Sequence, residues 1–151
     1  MKRSLRDPAS RRSIVERLRR FTPDSPRKWG RMDHAQLMPH LAMALRSALG
    51  DLDRAGATRP ARKRRPLFKY VAIHWLPWPE GRIKAPAGAF STPSEGWDRD
   101  RELLIELMER FAVAAPETLG REHSMFGPMT ARDWDVLQYR HLDHHLRQFS
   151  A

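Results

Sequence analysis

Apolar residues that recur at three- and four-residue intervals, between clear start and stop signals, constrain this chain more than any other feature. In "MDHAQLMPHLAMALRSALG", Leu37, Leu41, Ala44 and Ala48 fall on one helical face, and Leu45 and Leu49 widen it. Asp33 is the candidate N-cap with Gln36 three residues on, the capping-box spacing, and Gly50 supplies the stop. Pro39 falls in the second turn, where it costs a hydrogen bond and can bend the helix. The same periodicity runs from about Ser94 to Ala112, carried by Trp97, Leu104, Met108 and Phe111. It returns after Thr130, with Asp133 at the third position, and continues through Trp134, Leu137, His141, His145 and Gln148 to about Phe149. A first helix is expected over Pro8 to Arg20, capped by Asp7, with Ile14, Leu18 and Phe21 as a narrow stripe among arginines.

The intervening segments read differently. Residues 51–66 form a basic linker that includes "RPARKRRP" at 59–66. "LFKYVAIHWLPWPEG" suits either a short helix or a buried strand, stopped by Pro77 and Pro79, with Trp75 and Trp78 expected in the core. "RIKAPAGAFSTPSEG" and "REHSMFGPM" read as loops, the second with Gly127 and Pro128 fixing a turn that sets Phe126 over the bundle mouth. There is no internal repeat. The length, 151 residues, suits one domain. The expected architecture is all-α: a four-helix bundle spanning residues 1–151, with an extra short segment between the second and third long helices.

Composition limits the chemistry. The chain has no cysteine, which excludes disulfides, a cysteine nucleophile and thiolate-held zinc or iron–sulfur clusters. Any metal must sit on histidine or carboxylate. The net charge of +10 attracts phosphate, nucleic acid or an anionic membrane without selecting among them. The basic N-terminus lacks the apolar run of about 7–15 residues that a secretory signal needs. "YVAIHWLPWP" is far short of the roughly 20 residues that span a bilayer, so the expectation is a soluble cytoplasmic protein.

The densest chemical signal is "YRHLDHHLRQF", residues 139–149. His141 and His145 are four apart, which on a helix stacks them with about 5–6 Å between Cβ atoms. Their face also carries Trp134, Leu137 and Gln148, so it points inward. His40 lies on the apolar face of the second helix, and where two such faces meet in a bundle, three imidazoles surround one point. Three protein ligands plus open positions is the arrangement of catalytic zinc. The plainer alternatives are a hydrogen-bonded core His40 and a histidine pair favouring the negative end of the helix dipole. Asp143 projects to another face, and His-Glu-x-x-His is absent, which disfavours a zincin-type protease. His144 can be a neighbour of the ligands, a substrate contact or an exposed residue. Arg140 and Arg147 lie off the inward face and are assigned to the surface.

"MDHAQLMPHLAMAL", followed about a hundred residues later by "YRHLDHHLRQF", resembles the DinB/YfiT-like superfamily, and the resemblance covers nearly the whole chain. "WLPWPEG" and "FGPMTARDWDVLQYRHLDHHLRQF" are similar to pieces of an uncharacterised bacterial branch of it. The resemblance implies a four-helix bundle, often dimeric, with a divalent metal on one histidine of the second helix and two of the last. Carried onto this sequence these are His40, His141 and His145, with Gln148 at the family's glutamine place. Characterised relatives include thiol S-transferases using bacillithiol, mycothiol or glutathione, and a mycothiol-dependent isomerase. His34 departs from the family pattern and is expected at the surface.

Two function classes follow. The first is a metal-dependent enzyme with His40, His141 and His145 on zinc, nickel, iron or manganese, acting on a small-molecule substrate. Because the chain has no thiol of its own, thiol S-transfer would use a small-molecule thiol such as glutathione, with metal-assisted hydrolysis behind it. His144 is the nearest candidate for a catalytic role. The alternative is a non-enzymatic basic helical protein that binds nucleic acid or an anionic membrane surface.

Overall fold

A computed structural model describes residues 3–52, 66–81 and 92–151. The chain is mostly helical: α1 (Pro8–Arg20), α2 (His34–Ala48), α3 (Pro66–His74), α4 (Trp97–Val113) and α5 (Ala131–Gln148). Helix α1 touches α4 and α5, and α2 touches the same two, so the four long helices enclose one core. Helix α3 packs on α5. The start signals act as their chemistry requires. Asp7 accepts from the Ser10 N–H, and Asp33 with Gln36 and Thr130 with Asp133 both close reciprocal capping boxes. Helix α2 runs through Pro39 unbroken, at the cost of the bond its missing N–H would make.

Ile14, Leu18, Phe21, Leu104, Met108 and Phe111 are fully buried, as periodicity predicts. Leu5 joins them, because the segment ahead of α1 is pinned: the Arg6 N–H donates to Asp135 at 2.8 Å, and its guanidinium donates to the Ala114 carbonyl. Ion pairs then fasten α1 to both neighbours, Arg11 to Glu109 on α4 and Arg17 to Asp143 on α5. The second pair turns Asp143 toward α1, and it is not part of the His40, His141 and His145 group.

Several expectations are corrected. "LFKYVAIH" is a helix, yet most of it is not buried: Leu67, Phe68 and Tyr70 are exposed, and so is Trp75, which was expected in the core. Trp78 does pack against the core. Arg140 is no surface residue. Its guanidinium donates to the Ala72, Ile73 and Leu76 carbonyls and so caps the C-terminal end of α3. "REHSMFGPM" is not wholly irregular, since β1 (Glu122–His123) pairs antiparallel with β2 (Gly127–Pro128). Phe126 packs on His123, with ring centroids 5.1 Å apart. Residues 53–65 of the basic linker, with most of "RPARKRRP", and residues 82–91 of the following loop lie outside the described residues. Among the described residues no helix is long and apolar enough to cross a membrane.

Candidate metal centre

Helices α2 and α5 bring His40, His141 and His145 to one point. One ring nitrogen from each lies within 4.8 Å of the others. The His141 Nε2 atom is 3.1 Å from His40 Nε2 and 3.1 Å from His145 Nε2. Around a tetrahedral ion with Zn–N distances of about 2.0–2.1 Å, two nitrogens would stand about 3.3 Å apart. Both distances from His141 are close to that spacing.

The hydrogen-bond chemistry around His145 settles which nitrogen is available. The Trp29 carbonyl can only accept, so Gln148 directs its Nε2 amide at it, at 2.8 Å. That orients Gln148 Oε1 toward His145 Nδ1 at 2.9 Å, and an oxygen acceptor there requires the proton on Nδ1. His145 Nε2 is left with a bare lone pair facing the cluster. A second residue orienting a ligand imidazole in this way is the usual support of a metal site. Gln148 is itself held twice, because its backbone carbonyl also accepts from Lys28 N–H at 2.7 Å. Gly30 makes this approach possible. It adopts φ +79°, and a Cβ there would come within 2.5 Å of Gln148 Nε2.

Electrostatics point the same way. Burial, followed by the neighbouring His145 and His40, pushes the His141 imidazole well below its ordinary range. Burial, then His40, pushes His145 down to about 3. Both rings are therefore neutral at pH 7, the state that ligates metal. With His145 Nε2 bare, one hydrogen on His141 Nε2 cannot serve both His145 and His40 fully. A divalent cation would accept all three lone pairs at once, so the donor set fits such an ion.

A family model described as "Protein of unknown function (DUF1569)" matches residues 2–151. The chain belongs to DUF1569. No curated protein and no solved structure matches it.

The other predicted positions of this DUF1569 chain fall out as follows. His144 is buried, 7 % exposed, and lies between Trp29 and Trp78, with ring centroids 5.9 Å and 5.8 Å away. Burial, then the Arg147 charge, lowers its basicity. His34 is not a plain surface residue: it bonds the Ser25 carbonyl at 2.6 Å and packs on Phe21 and Phe149. Arg147 is exposed and pairs with Asp143 and Glu80.

Two features of the DUF1569 chain escaped sequence reasoning. Trp29, in the loop before α2, borders the histidines, and no periodic pattern marks a loop residue. His74, on α3, bonds the buried Asp133 at 2.9 Å, while Lys69 binds the other carboxylate oxygen at 2.8 Å. Burial alone would raise the Asp133 carboxyl, but its bonds from Lys69, His74 and Thr130 outweigh that and hold it well below the usual carboxylate range. Asp133 was legible only as a cap.

Proposed function

We propose that this protein is a divalent-metal-dependent enzyme of the DinB/YfiT-like kind, with a low-molecular-weight thiol as co-substrate in S-transfer. The observation that carries the reading is the convergence of three imidazole nitrogens without a carboxylate among them, one with its tautomer set by Gln148. The ring of contacts among the four long helices supports the bundle that the DinB-like resemblance implies.

His40, His141 and His145 would hold the ion, and zinc, nickel, iron and manganese all accept imidazole ligands. A bound cation of this kind supplies Lewis acidity, making a coordinated thiol or water acidic enough to lose its proton near neutral pH. Gln148 keeps the His145 lone pair aimed at the ion. Trp29 and Trp78 wall the adjoining space and limit the access of bulk water. His144 is the residue nearest the ligands that is free to exchange a proton with substrate. Because no cysteine is present, the thiol must come from outside, and hydrolysis by the same centre is the companion reaction.

The test is elemental mass spectrometry on untagged protein, for wild type and for His40→Ala, His141→Ala and His145→Ala. About one equivalent of metal in wild type, lost in each folded variant, is expected, and glutathione and related thiols are then screened as co-substrates. A wild type that cannot be loaded would overturn the reading. The charge of +10 and the exposed Leu67, Phe68 and Trp75 would then favour the non-enzymatic alternative, a nucleic-acid or anionic-membrane binder. Phosphate binding of that kind weakens steeply between about 50 and 200 mM salt.

A further inference from the structure

Beside the three histidines lie two polar atoms that the fold leaves unsatisfied. Among the described residues, neither Trp29 Nε1 nor His144 Nδ1 has a hydrogen-bond partner, and both atoms are buried. His144 as a whole is 7 % exposed. Buried polar atoms without partners are rare in folded proteins because each has lost its water without replacement. Here two occur on rings whose centroids are 5.9 Å apart. The His144 ring lies 5.3 Å from that of His145, so the pair adjoins the metal centre.

The surroundings are fixed and aromatic. Trp29 is anchored through its backbone carbonyl to Gln148, the residue that also orients His145. Trp78 closes the other side, 5.8 Å from His144 and 6.2 Å from His141. Its indole N–H is occupied by the Ala72 carbonyl, and the Arg140 guanidinium lies 5.2 Å over its ring. Trp78 therefore offers a ring and no free donor, whereas Trp29 offers a donor. An indole N–H only donates, so whatever satisfies Trp29 must present an acceptor.

We propose that Trp29 and His144 form a subsite for an oxygen acceptor, carbonyl or carboxylate, carried by the ligand whose thiol occupies the metal centre. The subsite narrows the substrate class to thiols with an acceptor oxygen a few bonds from sulfur, placed against Trp29 and His144. This rests on the metal-thiol reading above and adds a specificity determinant to it. A plain alkyl thiol would leave the Trp29 donor and His144 Nδ1 buried and unpaired, and a site built to bond an oxygen rejects the ligand that lacks it.

The test is calorimetric titration of zinc-loaded full-length protein with 3-mercaptopropionamide and with 1-propanethiol. Wild type is expected to bind the amide thiol about tenfold more tightly or better, the effect of one or two buried hydrogen bonds. In Trp29→Phe and in His144→Leu the ratio of the two affinities is expected to fall toward one. Zinc content of each sample is measured alongside. Equal affinities in wild type would overturn the subsite and leave the metal-thiol reading standing. A preference that survives both substitutions would also overturn it. Zinc-loaded protein that binds neither thiol would remove the subsite together with the thiol co-substrate, and protein that takes up no zinc would remove the metal centre beneath both. If a variant fails to fold, the wild-type ratio and the other variant still decide.

Discussion

Two sites along α5 hold imidazoles, His74 of α3 against Asp133 and the half-buried trio His40, His141 and His145, and they differ in what meets the ring nitrogens. Near the N-terminal end, His74 Nε2 faces the Asp133 carboxylate, which Lys69 and Thr130 also bond. Every strong acceptor there has a donor, so the cluster is closed. Toward the C-terminal end, His40, His141 and His145 turn Nε2 atoms toward one another, and among the described residues no carboxylate joins the group. His74 is buried and the trio half-buried, but exposure is not what separates a structural histidine from a candidate ligand here. The distinction is whether the partner already completes the ring's hydrogen bonding or leaves lone pairs that a cation can take.

The largest effect is expected at the closed site. Asp133→Ala strips the shared acceptor from His74 and Lys69, opens the α5 capping box and releases α3. Loss of one partner from a buried ionic network costs about 3–5 kcal/mol. Urea unfolding is expected to show a loss of that size, with zinc stoichiometry retained in the folded fraction. A loss below about 1 kcal/mol would mean that the knot does not hold α3 to α5.

The two clusters are also expected to fail in different pH windows. For His145, and for His141 in the same direction, the folded protein holds the ring far below its ordinary value of 6.5. Above pH 6.5 both folded and unfolded chains carry these rings neutral, and stability is unaffected. Below it the unfolded chain takes up protons that the folded site refuses, so stability falls as pH falls, by about 1.4 kcal/mol per pH unit for each ring. Asp133 behaves otherwise. Its folded value is depressed below the ordinary 3.8, so its contribution is complete above that pH and is lost only in stronger acid. Metal-free wild type followed by urea unfolding from pH 8 to pH 5 is therefore expected to weaken from about pH 6.5, with a smaller slope in His145→Ala. A flat profile down to pH 5 would contradict the burial of the open cluster.

The smallest effect sharpens the open side. Gln148→Met keeps the volume and removes the bonds to His145 Nδ1 and the Trp29 carbonyl. Zinc affinity, measured by chelator competition, is expected to fall about 10–100-fold, the usual cost of losing a group that orients a ligand. Unchanged affinity would show that packing alone orients His145.

Much of the candidate site was legible before the fold was known. The four-residue spacing of His141 and His145 fixes their common face, because helix geometry is local. His40 was placed beside Leu37 and Leu41 by the same periodicity, although its meeting with α5 needed a bundle to be assumed. Trp75 and Arg140 were misjudged for related reasons. An aromatic residue at the end of a short helix is buried only if something packs over it. An arginine off the inward face becomes structural only because the C-terminal carbonyls of α3 arrive beside it. His34 is similar, since Phe149 and the Ser25 carbonyl reach it from distant parts of the chain or from a loop.

Sequence alone set the four long helices, the caps of three of them, the lack of a cysteine thiol and the one face that carries paired imidazoles. These depend on interactions within a few residues, which propensity, capping and periodicity record directly. Only the tertiary structure decided which histidines meet, which nitrogen of His145 is free, and that His74 is spent on Asp133. It alone revealed the unpaired nitrogens of Trp29 and His144. Those outcomes depend on contacts between residues far apart in the chain, and a hydrogen bond is decided by tenths of an ångström between such partners rather than by local pattern.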